Sequence, residues 1–125
     1  MAFPIVYATD VGVSVRFYQH LGFEPYYQFP EDGQPTYVGM RSDDSDLGVV
    51  NARSPHDLLD VEVGVKPRFE LFLYVDDVDT SLERLRRQGV PVIREPENMP
   101  WGHRLAYVTD PDENPVALAA SVESA

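Results

Sequence analysis

The chain has 125 residues, 43% of them hydrophobic, with 21 acidic side chains against 10 basic ones and a formal net charge of −11. That length allows one domain with a real core, expected to span residues 1–125, and is short for two ordinary domains. The absence of cysteine excludes disulfides, thiolate zinc sites and cysteine nucleophiles, and so acidic a surface repels nucleic acid phosphates and anionic lipid while drawing in cations. With no apolar run of about 18 residues and no charged, apolar leader in Met1-Ala2-Phe3-Pro4, the expectation is a soluble cytoplasmic protein with neither a membrane nor a nucleic acid partner.

In chain order, an extended apolar run from Phe3 to Thr9, rich in β-branched and aromatic residues, predicts a strand. Asp10 then caps a helical pattern in which Val11, Val15, Tyr18 and Leu21 recur on one face, and Gly22 stops it. Strand-like pieces follow at 23–29, 36–41 and 47–52, broken by Glu31-Asp32-Gly33-Gln34-Pro35 and by the acidic turn at 42–46. Residues 53–68 carry Pro55, Gly64 and Pro67 and read as a linker with one turn of helix around His56 to Leu59.

From Phe69 the pattern starts again. A strand over 69–76 leads to Asp77, then to a helical stripe of Val78, Leu82 and Leu85 with Glu83 and Arg87 paired four apart on the wet face, ended by Gly89. Strands are predicted at 90–94, 104–109 and 115–120, separated by a loop at 95–102 and the turn Asp110-Pro111-Asp112-Glu113-Asn114. A shift of 67 positions places Tyr7, Asp10, Val11, Ser14 and Gly22 on Tyr74, Asp77, Val78, Ser81 and Gly89, and the strand at 4–8 on that at 71–75. The fold class is therefore α+β, a βαβββ module at 3–52 and its duplicate at 69–120. One helix covers one face of each sheet; if the uncovered faces curl toward each other, or toward those of a second chain, they enclose a cleft suited to a ligand.

The duplicated βαβββ pattern, Phe17-Tyr18 and Leu21-Gly22-Phe23 after Asp10, Tyr74-Val75-Asp76-Asp77-Val78, and Trp101-Gly102 ahead of Asp110-Pro111-Asp112 resemble the vicinal oxygen chelate superfamily over about residues 3–120. That group includes glyoxalase I, extradiol dioxygenases, fosfomycin resistance enzymes and bleomycin resistance proteins. The resemblance implies that metal-dependent members hold their ion at the residue seven before each helix-leading Asp and at a Glu seven after the Asp of the Asp-Pro turn. Those places hold Phe3, Glu70 and Ala117 here, and the matching place in the first module falls within Leu47 to Val50. One carboxylate is too few for a divalent cation, which takes about three protein ligands; no metal site and no cofactor are expected.

No catalytic residue is expected either, since neither a Ser-His-Asp set nor a carboxylate pair is visible from spacing. His20, near a helix end, and His56, in the linker, read as surface residues, whereas His103 reads either as a ligand contact or as structural. Taking Glu70 to face the cleft, strand alternation brings Phe72 and Tyr74 with it, Phe3, Ile5 and Tyr7 in the first module, and Ala117 and Ala119 on the last strand. Tyr107 matches the place of a substrate-contacting Tyr in fosfomycin resistance enzymes and takes Leu105 and His103 along; Trp101 is expected at the mouth, with Tyr37 and Met40 from the first sheet. Pro4 lies where bleomycin resistance proteins carry a proline. Such proteins lack the metal ligands, dimerise and bind a cationic glycopeptide antibiotic in an acidic, aromatic-lined groove. The resemblance thus implies a metal-independent, homodimeric protein that sequesters a planar aromatic or cationic antibiotic. The alternative is a metal-dependent lyase, isomerase, transferase or dioxygenase of the same superfamily using Glu70 with His103.

Overall fold

The computed structural model describes residues 1–65 and 67–122. The chain divides into two compact units, Met1–Val65 and Lys66–Ala125. In the first, strand β1 (Ile5–Ala8) leads to helix α1 (Val11–His20) and then to β2 (Glu24–Phe29), β3 (Tyr37–Arg41), β4 (Asp46–Asn51) and the short helix α2 (Ser54–Leu59). In the second, β5 (Leu71–Tyr74) leads to α3 (Val78–Arg87), β6 (Val92–Asn98), β7 (His103–Thr109) and β8 (Pro115–Ser121). Each unit holds one four-stranded sheet, ordered β1-β4-β3-β2 and β5-β8-β7-β6. The first strand pairs in parallel with the last, and the other pairs are antiparallel. The βαβββ unit therefore occurs twice.

The duplication extends to how each helix begins and ends. Asp10 and Asp77 both take extended backbone and accept hydrogen bonds from the N–H groups of Val13 and Thr80 respectively, the geometry that satisfies donors left open in a first helical turn. At the other end Gly22 and Gly89 adopt φ of 96° and 83°, the left-handed turn that lets the next N–H reach back into the helix. Phe23 N–H donates to Tyr18 O, and Val90 N–H to Leu85 O. Phe23 and Tyr18, both buried, also meet edge to face.

Each helix packs on one face of its own sheet. In the first unit Val6, Ala8, Val38, Met40, Leu47 and Val49 are buried with Phe17 and Tyr18 of α1; in the second, Leu82 and Leu85 of α3 are buried with Ala106, Val108, Val116 and Leu118. Arg104 on this covered face reaches Asp79 of α3 with both nitrogens of a fork, and its hydrogen bonds hold the Asp79 carboxyl below the usual range.

The turn between β7 and β8 fastens the second unit to its own N-terminal entry. Asp110 Oδ1 accepts the N–H groups of Asp112 and Asn114, Oδ2 accepts the Asn114 amide, and Asn114 Oδ1 accepts the N–H of Arg68. Asp110 and Asn114 are buried, so these bonds replace water that the groups have lost.

Two local expectations are corrected. The loop predicted over 95–102 shrinks because β6 continues to Asn98, with irregular pairing around Arg94 that lets a strand absorb mismatched residues. Glu83 pairs with Arg86, not Arg87; Arg86 Nε lies 3.1 Å from Glu83 and its Nη2 bonds Glu95 of β6, so a cross-element partner decides which arginine is used. Among the described residues no helix is long and apolar enough to cross a membrane.

Candidate functional site

The face of the second sheet opposite α3 is set by register. Across β5, β8, β7 and β6, one row holds Phe72, Ala117, Tyr107 and Arg94, and the next holds Tyr74, Ala119, Leu105 and Glu97. His103, opposite Ser121, begins a third. Ala117 and Ala119 are fully buried while Phe72 and Tyr74 remain 43% and 65% exposed, so large rings lie over a floor of methyl groups. Phe72 and Tyr74 meet near-perpendicularly with centroids 5.3 Å apart, and the His103 ring stands 5.7 and 5.8 Å from them. His103 Nε2 is 3.4 Å from the Tyr74 hydroxyl, and its Nδ1 is buried without a partner.

At the other end of this face, burial and then the neighbouring Glu70 carboxylate raise the Tyr107 phenol above its ordinary 10.0. Arg94 Nη2 binds Glu97 at 2.7 Å.

The open face of the first sheet is built likewise. Its rows carry Ile5, Gly48 and Gly39, and then Tyr7, Val50 and Tyr37. A bulge between Pro25 and Tyr27 adds a residue to β2, and both Tyr26 and Tyr27 turn to this face: the Tyr26 ring lies close over Gly39, and Tyr27 stands 6.1 Å from Tyr37. Tyr37 covers Gly48. Burial, then Tyr26, Tyr27 and Asp46, raise its phenol above the ordinary value. Arg41 stacks 4.1 Å beneath the Tyr26 ring while its fork holds Asp46.

The sequence-predicted residues thus divide. Phe72, Tyr74, His103 and Tyr107 share one face of the second unit, with Glu70 near Tyr107, and Tyr7 and Tyr37 share the open face of the first. Trp101 stands at the tip of the β6–β7 hairpin, 64% exposed. Met40 is a correction: it is fully buried and pairs with Leu47 on the α1 side, because residues three apart on a strand, such as Tyr37 and Met40, face opposite ways. Sequence reasoning missed Tyr26, Tyr27, Arg94 and Glu97 on these faces. Simple alternation allows only one of Tyr26 and Tyr27 on a face, and an extra bulged residue leaves no compositional mark.

The fit of a metal can be tested on the donors themselves. Phe3 and Ala117 have none, and Gly48, which pairs with Ile5 as Ala117 pairs with Phe72, fills the corresponding register of the first unit. Glu70 stands beside Tyr107. Among the described residues no three His, Asp or Glu side chains come together as an ion would need. This donor set does not fit the divalent ion of the metal-dependent relatives.

The family model described as Glyoxalase/Bleomycin resistance protein/Dioxygenase superfamily matches residues 2–118. No curated protein matches by sequence. Among solved structures, TioX from Micromonospora sp. ML1 aligns with a TM-score of 0.81 at 17% identity, over 98% of this chain and 99% of that one. A bleomycin-binding protein complexed with bleomycin gives 0.71 at 20%, over 97% and 98%. A superfamily member from Sphaerobacter thermophilus DSM 20745 gives 0.73 at 25%, over 95% of each.

Proposed function

The chain belongs to the Glyoxalase/Bleomycin resistance protein/Dioxygenase superfamily, and we propose that within it this protein is a metal-independent, cytoplasmic homodimer that binds a planar aromatic or cationic small molecule, an antibiotic by analogy with its bleomycin-binding structural neighbours. The single observation that carries the proposal is the exposed aromatic face of the second unit, where Phe72 and Tyr74 remain accessible over the buried Ala117 and Ala119. Large rings left in water on a sheet face lose nothing more by meeting a ligand ring and gain its apolar area, which favours stacking. Glu70, His103, Tyr107 and Trp101 would complete the contacts on that unit, and Tyr7 and Tyr37 would offer a separate aromatic face on the first.

The chemistry of the face supports binding over turnover. It presents the Glu97 carboxylate paired with Arg94, one imidazole, the phenols of Tyr74 and Tyr107 and the nearby Glu70, and among the described residues no donor set for a Lewis-acidic ion. Titrating the protein with bleomycin and with planar cationic dyes, following Trp101 fluorescence and then recovering the ligand by extraction, tests the proposal. Saturable binding with the ligand returned intact is expected; a chemically altered ligand refutes it. Light scattering of the same sample should give twice the chain mass of 14.1 kDa.

A further inference from the structure

Strand β2 closes one edge of the first sheet, with β3 as its only neighbour among the described residues, and all six of its residues are exposed. Phe29 O accepts from the N–H and the hydroxyl of Thr36, so its polar groups face β3, and alternation turns those of Gln28 away from the sheet. An edge of this kind is a template for another strand unless it is blunted. The duplicate shows the blunted form: its edge strand β6 carries Arg94, Glu95, Pro96 and Glu97, with Glu95 tied to Arg86 and Arg94 to Glu97. The matching strand β2 carries instead the exposed rings of Tyr26, Tyr27 and Phe29.

Phe29 pairs with Tyr37 and Tyr27 with Gly39, which puts both rings on the sheet's open face together with that of Tyr26. A groove of about 520 Å³ follows them, lined by Tyr26, Tyr27, Gln28, Phe29, Pro30 and Glu31. Gln28 Nε2 donates to the carbonyls of Pro30 and Glu31 and draws the next loop against the strand end. Acids stand at both ends of the edge, Glu24 at one and Glu31 and Asp32 at the other, all exposed. Arg41, opposite Glu24 in the register, is taken by Asp46. A second copy of this chain is therefore the wrong occupant. Antiparallel pairing of β2 with itself about the Tyr27–Gln28 centre would set Glu24 opposite Glu31 of the other copy, acid against acid at both ends.

We propose that the β2 edge docks an extended peptide segment of another protein, laid beside β2 as an added strand, with apolar residues at alternate positions and a basic residue at each end. Its backbone meets the outward groups of Gln28, its alternate side chains meet the rings of Tyr26, Tyr27 and Phe29, and its terminal cations meet Glu24 and Glu31. The surface is independent of the small-molecule reading, which rests on the second unit.

The test is calorimetric titration of the full chain at low salt with two capped peptides, Lys-Val-Thr-Val-Thr-Val-Lys and Glu-Val-Thr-Val-Thr-Val-Glu. The basic peptide is expected to bind saturably and about tenfold more tightly than the acidic one, the size of two rim ion pairs gained rather than two repulsions. Methylating the nitrogens of its central residues should abolish binding, because the added strand then donates no hydrogen bonds. Phe29→Ala should weaken binding about fivefold; Phe29 is 61% exposed, so the variant is expected to keep the wild-type circular dichroism. Replacing both Glu24 and Glu31 by lysine should exchange the preference between the two peptides. Equal affinity for both peptides, binding that survives N-methylation or Phe29→Ala, or binding of neither peptide overturns the proposal. A chain dimer that Phe29→Ala dissociates overturns it in favour of a second copy on this edge.

Discussion

Gly48→Ala tests the way rings are laid on these sheets. Gly48 sits in β4 between Leu47 and Val49, and a Cβ built there would meet Tyr37 Oη at 2.7 Å, Ile5 Cδ1 at 2.8 Å and Tyr37 Cε2 at 2.9 Å. Its φ is not in the left-handed region, so the backbone accepts alanine and the conflict is steric alone. Alanine restricts the unfolded chain and on that ground stabilises by about 0.4–1 kcal/mol. Overpacking costs about 1–3 kcal/mol, and the Tyr37 ring atom cannot yield without moving the whole ring. The net expectation is a loss of about 1–2 kcal/mol, read as a lower midpoint in urea denaturation at unchanged slope. Gly39→Ala is the internal comparison: there the new methyl meets the Tyr26 ring at 3.1 and 3.3 Å, and Tyr26 is 49% exposed, with the surface arginine Arg41 stacked on it able to shift along, so the change should stay within about 0.5 kcal/mol of wild type. A Gly48→Ala protein as stable as wild type, or less damaged than Gly39→Ala, would refute the packing argument.

Asn114→Ala removes the acceptor for Arg68 N–H and a donor to the buried Asp110; a loss of about 2–4 kcal/mol is expected in denaturant melts, because both groups are left without replacement by water. Ala117→Glu puts a carboxylate at the place where the resemblance sets a metal ligand, but between Phe72 and Tyr107 at a fully buried position. It should therefore unfold the protein or destabilise it by more than about 3 kcal/mol, with Phe72→Ala as a second substitution recovering part of the loss in thermal melts. The Tyr107 phenol, raised by burial and then by Glu70, should ionise after the exposed tyrosines in an ultraviolet titration, and Glu70→Gln should move it down. A raised pKa means the folded state holds the proton more tightly than the unfolded state does. Its stabilisation is thus complete below pH 10.0 and lost as pH rises through the folded value; stability that increased above pH 10.0 on this group's account would contradict that.

Much of the fold could be read before the structure was seen, and the reason lies in the repeat. Asp10 and Asp77, Gly22 and Gly89 are the residues on which local geometry leaves little choice, a side-chain acceptor at a helix start and a left-handed turn at its end. Finding them twice at one spacing fixed both modules. Face assignments were legible wherever a strand is regular, which is why Phe72, Tyr74 and Tyr107 fall on one face of β5 and β7. They were not legible on β2, where the bulge at Pro25 to Tyr27 breaks the period of two and turns Tyr26 and Tyr27 the same way. Met40 failed for a plainer reason: it stands three residues from Tyr37, and odd separations cross the sheet.

The same register that recovers the fold accounts for the departure from its metal chemistry. Ala117 lies in the row of Phe72, and Gly48 in the row of Ile5, so equivalent positions on the two sheets carry the two smallest side chains. Gly48 is covered by Tyr37 and Ile5, and Ala117 is fully buried between Phe72 and Tyr107 in its row. A carboxylate and an overlying ring cannot occupy such a position together: the acid needs open space above it for an ion, and the ring needs a short floor below it. At Ala117, where the resemblance puts a metal ligand, the row carries instead the exposed Phe72 on one side and Tyr107 on the other. A short floor and large rings on that face are then one feature of packing, and the same methyl that seats the rings offers an ion no donor.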